Sequence, residues 1–271
     1  MPITRVTSFD LPNLQPYRTL RRPIDHEKQG IFIAEGEKVV RRLFESDLEI
    51  LSVLLTEEWL ASIRIDLERR KSPPELFVAP KKLVETIVGF HLHQGIMAVG
   101  IIPKAYAVEE VLRTSPQPFF LVAVDGLTKA ENLGVLVRNC AAFGVQAILV
   151  GETSSSPYLR RAVRNSMGTV FKLPVVHLEN LAATLRDFNA RGIITIAAHP
   201  PSTDNLMTLD DVKSCCIIFG SEGEGISQNV LAACTRTVAI TMSTGVDSLN
   251  VASASAVVLH AIQARRHSLK E

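Results

Sequence analysis

The segment FFLVAVDGLTKAENLGVLVRNCAAFGVQAILVG, residues 119–151, opens on an unbroken apolar run at 119–124 and crosses a polar loop. It continues through a helical pattern over Leu133–Phe143 and returns to a second apolar run at 146–151. Apolar runs joined by amphipathic helices are the pattern of strands buried on both faces of a parallel sheet. The alternation continues outward in both directions. KLPVV (172–176), GIITIAA (192–198), CCIIFG (215–220) and RTVAIT (236–241) read as further strands. Helices are expected at Tyr158–Ser166, Leu181–Ala190, Gln228–Cys234 and Val251–Arg266. Six strands in this part make one doubly wound sheet. On the N-terminal side, IFIA (31–34), ILSVLLT (50–56), LFVA (76–79) and IMAVGII (96–102) alternate with helices at Glu37–Glu45, Glu57–Arg70 and Pro80–Ile87. Pro103, Pro116 and Pro118 punctuate the stretch between the two patterns. The chain therefore reads as α/β, with an N-terminal domain over residues 1–105, a linker over 106–118 and a C-terminal domain over 119–271.

The chain has 271 residues, nearly twice a typical domain of ~150, in keeping with two domains. Hydrophobic residues make up 46% and charged residues 21%, which excludes a disordered chain. No apolar run approaches the ~20 residues of a membrane helix, and the N-terminus lacks the apolar core of a secretion signal. Cys140, Cys215, Cys216 and Cys234 have no CxxC spacing and are expected to be buried thiols of a cytoplasmic protein. His91 and His93 would share a strand face, but no third ligand stands near them in sequence, so no metal is expected. The net charge is +1, and neither part of the chain is strongly basic. Any anion-binding surface must then be local, such as Arg41/Arg42 or Arg160/Arg161/Arg164, and clusters of this kind also serve as solvated helix faces.

Three segments carry candidate chemistry. In DGLTKAENLGVLVRNCAAFG (125–144), Asn132 is placed to cap the next helix, and Gly134 and Arg138 share one helix face. A glycine beneath an arginine leaves room for a ligand against the backbone, although a helix-start glycine with a surface arginine looks the same. IIFGSEGEGIS (217–227) runs from a strand into a loop with Gly220, Gly223 and Gly225. Its glycine order is not the dinucleotide fingerprint, and its acids would repel a pyrophosphate. An adenosine-type ligand without phosphate fits better; a purely structural turn is the other reading. AITMSTGVDSLNVASASAVVLHAI (239–262) is a strand, a loop and a helix of small residues, with Ser248 and Asn250 at the helix start. By itself it is a capped helix that packs closely within the domain or across a dimer.

In this order and spacing the three segments resemble the motifs of the SpoU/TrmH family of RNA ribose 2′-O-methyltransferases, within the SPOUT superfamily. Asn132, Gly134 and Arg138 match the first motif, Gly220 to Gly225 the second, and Ser248, Leu249 and Asn250 the third. FIAEGEKVV (32–40) and HQGIMAV (93–99) look like the family's substrate-binding domain. The resemblance implies a Rossmann-like parallel-sheet domain containing a deep trefoil knot, preceded by a smaller ribosomal-protein-like α/β domain that binds RNA. It implies S-adenosylmethionine held at Gly220, Ile240, Met242, Leu249 and Asn250. It also implies a homodimer through the C-terminal domain, with the partner subunit contributing to each site. Lys129 and Ala130 stand where the family usually has Asp-Pro, and Thr241 stands where it has proline.

The implied reaction is methyl transfer to a ribose 2′-hydroxyl in structured RNA, ribosomal RNA before transfer RNA. Arg138, which stays protonated, would hold the neighbouring phosphate and stabilise developing negative charge. Asn132 would orient Arg138 or the ribose, Glu222 and Asn250 would brace the loops, and Ser248 would hold the loop before the last helix. RNSMG (164–168) also matches the family pattern, which makes Arg164, with Arg161 and Arg160, the expected RNA contacts. Two other classes compete: a non-catalytic RNA-binding or ribosome-assembly protein of the same fold, and a nucleotide-using oxidoreductase. The intact polar residues oppose the former and the glycine order opposes the latter.

Overall fold

The computed structural model describes residues 3–68, 70, 72–88, 95–200, 202, 204–206, 209, 212–245 and 248–268. His91 and His93, read from sequence as a pair without a third ligand, lie outside the described residues. The chain divides into two compact units. One runs to Lys104 and also takes Tyr158–Lys172; the other comprises Ala105–Pro157 and the chain from Leu173 onward. Among the described residues no helix is long and apolar enough to cross a membrane.

The first unit holds strands β1 (Ile3–Arg5), β2 (Ile31–Glu35), β3 (Ile50–Leu55), β4 (Glu75–Val78) and β5 (Ile96–Ile101), in the order β1-β4-β3-β5-β2. Its helices are α1 (Gln15–Arg18), α2 (Pro23–Lys28), α3 (Glu37–Phe44), α4 (Glu57–Glu68) and α5 (Lys81–Val88). β1, β4 and β3 are parallel, but β5 pairs antiparallel with both β3 and β2, so the sheet is mixed where a parallel one was expected. Apolar runs report burial and not direction, which explains the difference. β1 and the two short helices before β2 escaped the sequence pattern because they are too brief for a period to register.

Phe32 on β2 pairs with Gly100 on β5, and a Cβ on Gly100 would fall 2.4 Å from the Phe32 ring. The glycine thus makes room for an aromatic side chain. That ring packs 5.5 Å from the Tyr158 ring and 5.3 Å from Phe171, which ties the segment around α8 (Arg160–Asn165) to β2. This contact places residues 158–172 with the first unit, whereas the sequence assigned all of 119–271 to the C-terminal domain.

The second unit contains β6 (Phe120–Val124), β7 (Ala147–Val150), β8 (Val175–His177), β9 (Ile194–Ala198), β10 (Cys215–Phe219) and β11 (Arg236–Val238), all parallel, in the order β11-β9-β10-β6-β7-β8. β6 and β10 lie at the centre, and each is buried along its whole length. The helices are α6 (Val108–Thr114), α7 (Ala130–Ala142), α9 (Leu181–Ala190), α10 (Gln228–Leu231) and α11 (Val251–Ser268). α6 lies inside the expected linker. Val108, Val111 and Leu112 pack on the core beside Leu121 and Leu149, and the Tyr106 amide donates to the Val175 carbonyl at 3.1 Å. The prolines around this stretch bound a helix instead of marking a free linker.

Candidate functional site

The chain reverses direction across the second sheet between β8 and β9, and the carboxyl ends of β9, β10 and β11 open into a cavity of about 320 Å³. Open parallel sheets bind ligands at such strand ends. Val251, Ala254 and Val258, on one face of α11, form one wall. The same helix presents Ala252 and Ser255 to α7, where the Asn139 side-chain amide donates to the Ala252 carbonyl at 2.8 Å and to Ser255 Oγ at 2.9 Å. The small residues of α11 are therefore used within the unit, for close helix contact and for space beside the cavity.

The 220–225 loop closes on itself. The Ser221 and Gly225 backbones exchange two hydrogen bonds, at 2.9 and 3.1 Å, and Ser221 Oγ accepts from the Glu224 amide at 3.2 Å. Gly225 sits at φ +71°, a left-handed conformation that side chains disfavour. Gly220 faces the Gly225 backbone so closely that a Cβ would lie 2.2 Å from the Gly225 carbonyl carbon. The glycines thus allow a strand end and a returning loop to touch. Asp125, just beyond β6 and buried, accepts from the Ser227 amide at 2.7 Å and anchors the far end of this loop.

Glu222 gathers the polar groups. Its carboxylate pairs with Lys129 and accepts from the Asn250 side-chain amide, which also reaches Asn132 Oδ1 at 3.3 Å. The hydrogen bond and charge of Lys129 hold the Glu222 carboxyl below the usual carboxylate range, with a smaller contribution from Asn132, while burial opposes them. Asn250 Oδ1 accepts from the Ala252 amide at 2.9 Å and so caps α11, as the sequence anticipated. Asn132 does not cap α7. That helix starts at Ala130, with Lys129 as the extended residue before it, and this places Asn132 inside the first turn. Ala130 and Glu131 are favourable in a helix's first turn and extend it backward past the expected start.

Of the residues singled out from sequence, Gly220, Glu222, Ile240, Met242, Ser248 and Leu249 line the cavity. Asn132 and Asn250 are joined to it through Glu222. Arg138 stands apart: it is exposed on α7, and six residues of helix turn it about 120° from Asn132. Arg160 and Arg164 belong to the first unit, where both meet Glu35, at 2.6 and 3.3 Å. The Arg160 side chain is only 19% exposed and serves this ion pair, while that of Arg164 is 60% exposed. Arg161 shares the same short helix. Sequence reasoning missed Lys129, Asp125, Asn139 and the cavity-lining His199. Asp125 and His199 carried one signal, their position directly after a buried strand. Among the described residues no group of histidine, cysteine and acidic side chains could hold a metal ion.

Comparison with known proteins follows the same division. The model of the SpoU rRNA Methylase family matches residues 119–260. A protein of Mycobacterium avium described as an uncharacterized tRNA/rRNA methyltransferase is 36% identical over 191 residues, which cover 69% of this chain and 61% of that protein. The match thus spans about three fifths of that relative's length. A Mycobacterium tuberculosis protein with the same description is 30% identical over 271 residues, covering 96% of this chain and 91% of its own. Among solved structures, an AdoMet-bound rRNA methyltransferase from Sinorhizobium meliloti superimposes with a TM-score of 0.82 at 23% identity, covering 98% of both chains. A structure described as an RNA 2′-O ribose methyltransferase gives 0.79 at 23% identity, covering 98% of this chain and all of that one. At such identities the likeness establishes a shared fold.

Proposed function

Since the chain belongs to the SpoU rRNA methylase family, we propose that it transfers a methyl group from S-adenosylmethionine to the 2′-hydroxyl of a ribose in structured RNA, ribosomal RNA before transfer RNA. The observation that carries this reading is the meeting of Glu222, Asn250, Asn132 and Lys129 at a cavity on the carboxyl ends of the parallel strands. The cavity suits the cofactor on its own chemistry. Ile240, Met242, Leu249 and Val251 supply apolar walls for an adenine ring, and Glu222 and Glu224 favour a cationic, phosphate-free ligand. When bound, the sulfonium group supplies the electrophilic methyl. The protein supplies position: Gly220 lets the backbone approach, Ser248 and Asn250 hold the loop before α11, and Asn132 is fixed through Asn250.

Arg138 supports the charge developing at the ribose oxygen and the adjacent phosphate. Because it is exposed on α7 and away from the cavity, this reading brings Arg138 into the site of a second copy, in a homodimer built on the C-terminal domain. The same family reading makes the C-terminal end of the chain a deep trefoil knot, and the first unit the RNA-presenting domain of a cytoplasmic enzyme. Arg164 and Arg161 then provide phosphate contacts, with Arg160 holding α8 against Glu35. RNA presented as a loop or single strand fits a pocket that must reach a 2′-hydroxyl.

The test is incubation of the protein with labelled S-adenosylmethionine and total RNA, followed by nuclease digestion and mass spectrometry of the labelled nucleoside. A 2′-O-methylated ribose is expected, with loss of at least about a hundredfold in rate for Arg138→Ala at unchanged melting temperature. Label on a base, or full activity in the variant, would refute the assignment. RNA binding without any labelling would favour the non-catalytic reading.

A further inference from the structure

Three separate stretches of chain meet at Glu222: the start of α7 through Lys129 and Asn132, the 220–225 loop itself, and the start of α11 through Asn250. The Asn250 side chain is fully committed. Its oxygen caps α11, and its amide hydrogens point to Glu222 and Asn132. An ionised Glu222 accepts on both oxygens, one toward Asn250 and the other toward Lys129, whereas a neutral carboxyl turns one oxygen into a donor and leaves Asn250 a weaker, uncharged acceptor. Among these partners Lys129 alone carries a charge, and it stands where the sequence departs from the family's motif.

We propose that Lys129 is a positioning residue for this site: its ammonium group orients the Glu222 carboxylate and keeps it an acceptor for Asn250 and Asn132, drawing the three stretches together at the mouth of the cavity. The inference rests on reading that cavity as the S-adenosylmethionine site. It is separable from stability. The Lys129 side chain is 67% exposed, and an ion pair open to solvent at one end contributes little to folding. Local geometry is another matter, because the same loop carries Glu224, and without Lys129 two carboxylates would sit at the mouth uncompensated. Among the described residues the other ionisable groups near this region are His199, which lines the cavity at the end of β9, and Glu131 in the first turn of α7, and the first turn of α11 has no acid.

The sign of the pH effect follows. In the wild type Glu222 keeps its charge to lower pH than it would alone, because Lys129 is the largest contributor to its lowered titration point. Without Lys129 the carboxyl titrates higher and becomes neutral earlier on acidification, so the charge-assisted hydrogen bond from Asn250 weakens sooner as pH falls. His199 and Glu224 are common to wild type and variant, so the difference between the two profiles isolates the Lys129–Glu222 pair.

The experiment is calorimetric binding of S-adenosylmethionine from pH 5 to pH 8 by wild type, Lys129→Met and Lys129→Arg, with thermal melting of each. Lys129→Met should melt with wild type, bind about threefold more weakly at pH 8 and lose further affinity relative to wild type toward pH 5, and Lys129→Arg should restore wild-type binding at both ends of the range. Equal affinities for Lys129→Met and wild type across the range would overturn the proposal and leave the cofactor reading intact. So would a uniform, pH-independent loss that arginine fails to rescue. A wild-type protein that binds no S-adenosylmethionine overturns the cofactor reading and this inference with it.

Discussion

Replacing Gly220 by alanine tests the closest approach in the candidate site. The added Cβ would lie 2.2 Å from the Gly225 carbonyl carbon, 2.3 Å from its oxygen and 2.4 Å from the Ile226 nitrogen. Non-bonded carbons sit comfortably at about 3.5–4.0 Å, so the returning chain must retreat by more than about 1 Å. All three neighbours are backbone, and no side chain can rotate away to absorb the clash. Such a retreat breaks the Ser221–Gly225 pair, whose hydrogen bonds are 2.9 and 3.1 Å long. Overpacking together with the lost bonds costs about 3 kcal/mol. For a protein of this size that lowers the melting temperature by about 6–12 °C. Gly223 is the internal control. A Cβ there meets nothing within 4 Å, so Gly223→Ala should stay within about 0.5 kcal/mol of wild type. Calorimetric melting of both variants, with S-adenosylmethionine titrated into each, gives the comparison. If Gly220→Ala melted and bound like Gly223→Ala, the close approach of loop and strand end would not be what the glycine provides.

Two further outcomes follow from the packing around the site. Asn139→Ala removes both hydrogen bonds that tie α7 to the first turns of α11, and it should cost about 1–2 kcal/mol in urea unfolding and weaken S-adenosylmethionine binding if the cavity that α11 walls is where it binds. The four thiols should resist Ellman's reagent in the native protein at pH 8 and react together on unfolding. Cys140, Cys215 and Cys216 are buried; burial pushes Cys215 up to about 11 and Cys234 up to about 12 and also raises Cys140 and Cys216. Rapid native labelling of all four would contradict that placement.

Strands β2 to β11 were legible in outline because each is an apolar run long enough to stand against its flanks. The edges of the reading failed where the signal is not local. α6 looked like a linker because prolines flank it, and only its contact with Leu121 and Leu149 makes it part of a core. Residues 158–172 interrupt the second unit in sequence yet pack on the first, through the aromatic cluster at Phe32 and the ion pairs at Glu35.

The motifs divide the same way. Gly220, Glu222, Ile240, Met242, Ser248 and Leu249 were readable one by one, and they line one cavity because consecutive parallel strands deliver their carboxyl ends to the same edge of the sheet. Sequence spacing also put Arg138 on the face of Gly134, and helical geometry alone keeps it off the face of Asn132. What no spacing could state is which groups pair. Lys129 precedes Glu222 by 93 positions and read as a departure from a motif, and only the folded chain makes it the counter-ion of the site. Periodicity and composition determine which segments bury themselves and where polar residues can cluster, since those depend on near neighbours. Charge pairing, register and strand direction are decided by atoms brought together from distant parts of the chain, and so they belong to the tertiary structure.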